Sequence, residues 1–205
     1  MRIGLDFDNT IVSYDHLFYK VAVEAGHVPS ITPQTKLAVR DHLRATGRED
    51  IWTEMQGYVY GGRMMEAAAF PGVLDFLRIA RISDFAVSIV SHKTRHPFIG
   101  YPYDLHEAAR QWVAHHLVDD DGPLIAESSI FFEPTKEDKL KRIAAGNFSF
   151  FVDDLPEILA APTFPLDTTP ILFDPADAEI SPPRAIRMAN WFSIQSFLAS
   201  LCSTS

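Results

Sequence analysis

Short apolar runs recur along this chain with helical patterns between them, and no other feature restricts its possible folds so sharply. The runs are Ile3 to Phe7, Phe85 to Val90, Ser129 to Phe132, Phe148 to Val152 and Pro170 to Phe173. Each is too short for a helix, and near-continuous apolar character is what strands buried on both faces of a parallel sheet require. Helical periodicity fills the intervals at Gly72 to Ala80, Asp104 to Leu117, Lys136 to Ala145 and Leu155 to Ala160. Strand and helix in alternation predict an α/β fold, a doubly wound, Rossmann-like parallel sheet with helices on both faces.

The stretch 13–70 breaks the alternation. Helical patterns lie around Tyr14 to Ala25, Pro33 to Ala45 and Asp50 to Gln56, with no strand between them. It reads as a helical insertion into a core formed by residues 1–12 and 71–205. Because it follows the first strand, and open α/β sheets bind ligands at the carboxyl ends of their strands, it should overhang the site as a lid. Gly57, Gly61 and Gly62 offer its last loop mobility. Toward the other end, Pro175 to Arg184 is proline-rich and reads as irregular, and Trp191 to Leu201 reads as a closing helix.

With 27 acidic and 18 basic residues the formal net charge is −9, a field that repels nucleic acid polymers and anionic membranes. An anionic substrate would then need a local cation, which a bound divalent metal would supply. One cysteine, Cys202, allows no internal disulfide and no cysteine metal cluster. Asp6 and Asp8 interrupt the first apolar run and exclude a signal peptide there, and no apolar run reaches membrane-spanning length. A cytoplasmic protein is expected.

The segment Asp6-Phe7-Asp8-Asn9-Thr10 ends the first apolar run. Period-two alternation points the two carboxylates to one side and Phe7 to the other. Taken alone, the pattern also describes a capped acidic turn. Like charges held side by side need a cation or a shared proton, so a third acid from another strand is expected. Phe150-Phe151-Val152 is followed by Asp153 and Asp154. Either of these could also cap a helix beginning near Pro156.

Asp6-Phe7-Asp8-Asn9-Thr10, the strand ending in Ser91, a lysine opening a later helix and Asp153-Asp154 together resemble the four ordered motifs of the haloacid dehalogenase superfamily. Phe70-Pro71-Gly72-Val73 resembles the re-entry from a small helical, C1-type cap. The resemblance implies a Mg²⁺-dependent phosphatase acting on a small phosphomonoester, with Asp6 as nucleophile and Asp8 as general acid and base. Thr10 would steady the turn and orient Asp6. Mg²⁺ would be held by Asp6, the Asp8 carbonyl and the Asp153-Asp154 pair, Asp153 being the first choice as direct ligand. Ser91 would donate to a phosphoryl oxygen. For the lysine, Lys136 is the first candidate, opening a helix capped by Thr135, and Lys139 the second. Asn9 stands where the superfamily most often has glycine, and Asn tolerates a left-handed backbone.

Substrate contacts are expected from the end of the insertion, where Arg63 could bind an anion and Tyr60 could stack, and from Ser91, His92 and Lys93. His92, His96 and His106 lack metal-ligand spacing. The same motifs would serve a phosphomutase or phosphotransferase, and a non-catalytic phosphoacceptor or scaffold module is the alternative of another class.

Overall fold

The computed structural model describes residues 1–177 and 180–202. Its centre is a six-stranded, all-parallel sheet. The strands are β1 (Arg2–Leu5), β2 (Ala86–His92), β3 (Ile130–Glu133), β4 (Phe150–Asp153), β5 (Thr169–Phe173) and β6 (Ile186–Met188). Their spatial order is β6-β5-β4-β1-β2-β3. From β1 the chain winds outward through β2 and β3, then returns to β4 on the other side of β1. The strand order therefore reverses at β1 and β4, where the crevice of a doubly wound sheet opens. Leu5 pairs in register with Ile89 on one side and Val152 on the other. This brings Asp6, Ser91 and Asp153 to the same edge.

Side-chain alternation divides the core between the two faces. Ile89, Val152 and Ile171 join the larger apolar cluster, while their neighbours Val90, Phe151 and Leu172 join the smaller one. The helices that complete the core are α4 (Val73–Ile82), α5 (Leu105–His116), α6 (Lys136–Gly146), α7 (Pro156–Leu159) and α8 (Trp191–Cys202). Gly4 is required by close approach, because a Cβ there would lie 2.4 Å from the ring of Phe151. The strand β6 was not anticipated, and it follows the proline-rich stretch, of which residues 178–179 lie outside the described residues.

Between β1 and α4 lie α1 (Asp15–Glu24), α2 (Lys36–Ala45) and α3 (Glu49–Gly57), then a π-turn at Tyr58–Gly62 and a short 3-10 turn at Met64–Glu66. An antiparallel pair, Val12–Ser13 with Ala68–Ala69, closes the base of this segment. Phe18, Val39, Leu43 and Trp52 form its buried interior. Gly57 and Gly61 are positions of close approach. A Cβ on Gly57 would lie 2.6 Å from Pro97 and one on Gly61 2.4 Å from Tyr103, so both permit the helical layer to press against the loop after β2. No helix among the described residues is long and apolar enough to cross a membrane.

Candidate active site

Asp6 follows the last residue of β1, its amide donating to the Val152 carbonyl at 2.8 Å. The chain then turns tightly, with Ile11 and Val12 amides both donating to the Phe7 carbonyl. Asn9 takes up the left-handed conformation this turn demands, at φ 57°. Phe7 points into the core, edge-on to Trp112 and Phe132, so Asp6 and Asp8 are left on the crevice side.

Lys139 is the lysine that reaches this edge. Its Nζ lies 2.6 Å from Asp6 Oδ1 and 2.6 Å from Asp153 Oδ2, with all three side chains buried. Burial works against the ammonium, but the Asp153 and Asp6 carboxylates outweigh it and hold the group protonated well above the ordinary lysine range. Lys136, the first candidate on sequence, instead forms an exposed ion pair with Glu157 at 3.0 Å. The two lie near one side of α6, but Lys136 is the first residue of the helix and Lys139 lies nearly a turn further in. Lys139 shares the buried stripe of α6 with Ile143, and Lys136 does not.

Asp6, Asp153 and Asp154 each present a carboxylate oxygen within 4.8 Å of one another. Burial, reinforced by the neighbouring carboxylates, pushes the Asp153 and Asp154 carboxyls up from the usual carboxylate range, and Lys139 offsets this only in part. One ammonium against three carboxylates leaves an excess of negative charge. An all-oxygen donor set of that charge fits a hard divalent cation such as Mg²⁺. Asp153 Oδ1 also accepts from the Leu155 amide at 3.0 Å, which fixes the carboxylate at the start of α7.

Asp8 has two partners of its own. Lys93 Nζ lies 2.7 Å from Asp8 Oδ2, and the Tyr14 hydroxyl donates to Oδ1 at 2.5 Å. Burial, then the Asp8 charge, raises the Tyr14 hydroxyl well above its ordinary pKa, so it remains a donor. Lys93 was expected to contact substrate, yet its ammonium is buried against Asp8 and packs 5.0 Å from the Tyr60 ring centroid. Tyr60 stands edge-on to Tyr14 at 4.9 Å and so borders the site.

Other expected positions require correction. The Thr10 hydroxyl does not orient Asp6: it is buried with no hydrogen-bond partner, while the Thr10 carbonyl accepts from Trp191 Nε1 at 3.0 Å. Arg63 is turned into the helical layer, paired with Glu24 at 2.8 Å and with Glu66. Arg95, four residues after Ser91, pairs with Asp104. Ser91 is buried at the end of β2, and burial, with the charges of Lys139 and Lys136, depresses the pKa of half-buried His92.

Lys36 escaped notice in the sequence. Burial opposes its charge, but Tyr60, Asp8 and Asp154 together hold its ammonium above the ordinary range. It lines a cleft of about 280 Å³ that reaches Asn9, Tyr14 and Asp154 and thus opens on the carboxylate cluster.

No protein-family model and no curated protein matches the chain. Solved structures do. Protein tyrosine kinase A of Mycobacterium tuberculosis is similar at 16% identity over 96% of this chain and 97% of that one, with a TM-score of 0.60. An archaeal β-phosphoglucomutase from Pyrococcus sp. strain ST 04 is similar at 16% identity over 100% and 99%, with a TM-score of 0.56. A haloacid dehalogenase family hydrolase of Deinococcus radiodurans, with bound phosphate and sodium, is similar at 14% identity over 97% and 95%, also with a TM-score of 0.56. At such identity the likeness is one of fold, a fold shared with structures described as haloacid dehalogenase family hydrolases.

Proposed function

We propose, with the haloacid dehalogenase fold as premise, that the chain is a Mg²⁺-dependent phosphatase of small phosphomonoesters, its helical segment acting as a cap. The observation that carries this reading is the placement of Asp6. The Lys139 ammonium 2.6 Å away gives this buried nucleophilic carboxylate its counter-ion. Asp153 and Asp154 beside it supply, with Asp6, the donors for the metal.

In the first half-reaction an Asp6 oxygen forms a bond to phosphorus as the bond to the leaving oxygen breaks, and Asp8, entering the step protonated, gives that oxygen its proton. In the second, Asp8 takes a proton from water as the water oxygen bonds to phosphorus, the Asp6–phosphorus bond breaks and inorganic phosphate departs. Ser91 and Lys139 serve the phosphoryl oxygens, where negative charge accumulates. Bound Mg²⁺ would neutralise charge on the transferred group. Lys93 and Tyr14 orient the Asp8 carboxylate toward the leaving group.

Release of inorganic phosphate from a panel of phosphomonoesters, with Mg²⁺ and with chelator, tests the proposal. Metal-dependent release is expected. Transfer of the phosphoryl group to a second substrate hydroxyl without phosphate release would make the chain a mutase or phosphotransferase instead.

A further inference from the structure

We infer that Lys36 forms a second anion subsite, so that the substrate is a phosphomonoester whose carbon skeleton carries a further carboxylate or phosphate. The inference rests on the phosphatase reading for its kinetics but has a binding test independent of it.

Two lysines flank the Tyr60 ring, and their situations differ. Lys93 Nζ, 5.0 Å from the ring centroid, is neutralised by Asp8 at 2.7 Å. Lys36 Nζ lies 5.6 Å from the centroids of both Tyr60 and Phe18, and no carboxylate among the described residues lies within ion-pair distance of it, the Tyr60 side chain and the more distant Asp8 and Asp154 being what offsets its burial. Ring faces compensate a half-buried ammonium weakly compared with an anion. Lys36 begins α2, and Arg40, four residues on, lies on the same helical face and lines the same cleft. Among the described residues Arg40 pairs only with its exposed neighbour Asp41, an interaction of little worth that a ligand can displace.

Among the described residues, none of the acids lining this cleft meets the Lys36 ammonium at ion-pair distance. Asp154 belongs to the carboxylate cluster, Asp15 Oδ1 accepts from the Lys36 amide at 2.9 Å, and Asp174 pairs with Arg187. Phe70 and Phe173 supply an apolar wall for a short carbon skeleton. A ligand whose phosphate sits at Asp6 and that extends past Tyr14 along this cleft meets an ammonium with no carboxylate at ion-pair distance among the described residues. That arrangement distinguishes an anionic skeleton from a neutral one of equal size.

Matched pairs test this directly: 3-phosphoglycerate against glycerol 1-phosphate for a carboxylate, and fructose 1,6-bisphosphate against fructose 6-phosphate for a phosphate. In at least one pair the wild-type KM for the anionic member should be at least about tenfold lower. In Lys36→Met that ratio should fall to within about twofold, and Lys36→Arg should retain most of it. Lys36→Gln, read the same way, serves if the Met variant does not fold. A wild-type ratio near one in both pairs, or equal KM increases for both members in the variant, would overturn the subsite. Should no ester be turned over, calorimetric titration of the same ligands decides separately. Preferential binding of the anionic member, lost in Lys36→Met, upholds the subsite although the phosphatase reading fails. Equal binding, or none, overturns the subsite as well.

Discussion

The Lys139 ammonium lies 2.6 Å from Asp6 Oδ1, a buried pair formed by residues 133 positions apart in the chain. The same ammonium meets Asp153 at 2.6 Å, so one side chain on α6 ties together the ends of β1 and β4.

Lys139→Met should therefore be costly twice over. It leaves two buried carboxylates without their cation, a loss of about 3–5 kcal/mol in stability, and it should lower kcat by about 100-fold or more. Lys136→Met removes an exposed pair worth about 0–1 kcal/mol and should leave turnover within about twofold. Urea denaturation and steady-state kinetics on the two variants check both statements.

The contrast between these lysines shows what was legible in the sequence and what was not. Strands β1 to β5 and every helix of the core could be read because apolar periodicity is a local property. The carboxylates of Asp6, Asp8, Asp153 and Asp154 were legible because each pair closes such a run. Choosing between Lys136 and Lys139 requires knowing which turn of α6 reaches the sheet edge, because at a spacing of three the two lie near one side of the helix and only Lys139 is buried. Arg63 was misread because its partners Glu24 and Glu66 lie on separate turns of the helical segment. Strand β6 was illegible because it is short and carries Arg187 at its centre, whose charge is met by Asp174 only in the folded chain. Tyr14 and Lys36 reach the site through tertiary packing that no local pattern encodes.

Arg63→Ala should leave kcat/KM within about twofold, because its guanidinium faces Glu24 and Glu66. A larger loss of kcat/KM without a loss of stability would return Arg63 to the substrate site.

Glu66 carries the pH dependence of the same cluster. Hydrogen bonds from Arg63 and Lys20 lower its pKa from the ordinary 4.5 to about 2. The folded-state value lies below the unfolded one, so the stabilisation is fully present above about pH 4.5 and is lost as pH falls toward about 2. Since the pair is partly exposed, the effect is about 1 kcal/mol or less. Urea denaturation should show a shallower acid-side decline in Glu66→Gln than in the wild type.

Gly61→Ala would set a methyl group 2.4 Å from the Cβ of Tyr103. A cost of about 1–3 kcal/mol in urea denaturation is expected from the forced displacement of the helical layer. No measurable cost would mean that this layer does not press on the Tyr103 loop in solution.

Mg²⁺ should raise the thermal midpoint of the wild type, and chelator should reverse the rise, since binding to the folded state alone stabilises it. Asp154→Asn removes one of the three clustered carboxylates and should abolish most of the shift. An undiminished shift would place the metal elsewhere.

The central claim is that Asp6 carries the phosphoryl group, and covalent labelling tests it most directly. Wild-type protein and Asp6→Asn would be mixed with a turned-over ester and Mg²⁺, quenched in acid and mapped by peptide mass spectrometry. The account predicts one hydroxylamine-labile phosphoryl group on the peptide containing Asp6 in the wild type and none in the variant, which should also have lost turnover. Turnover that survives in Asp6→Asn, or a phosphoryl group trapped on another residue, would contradict it.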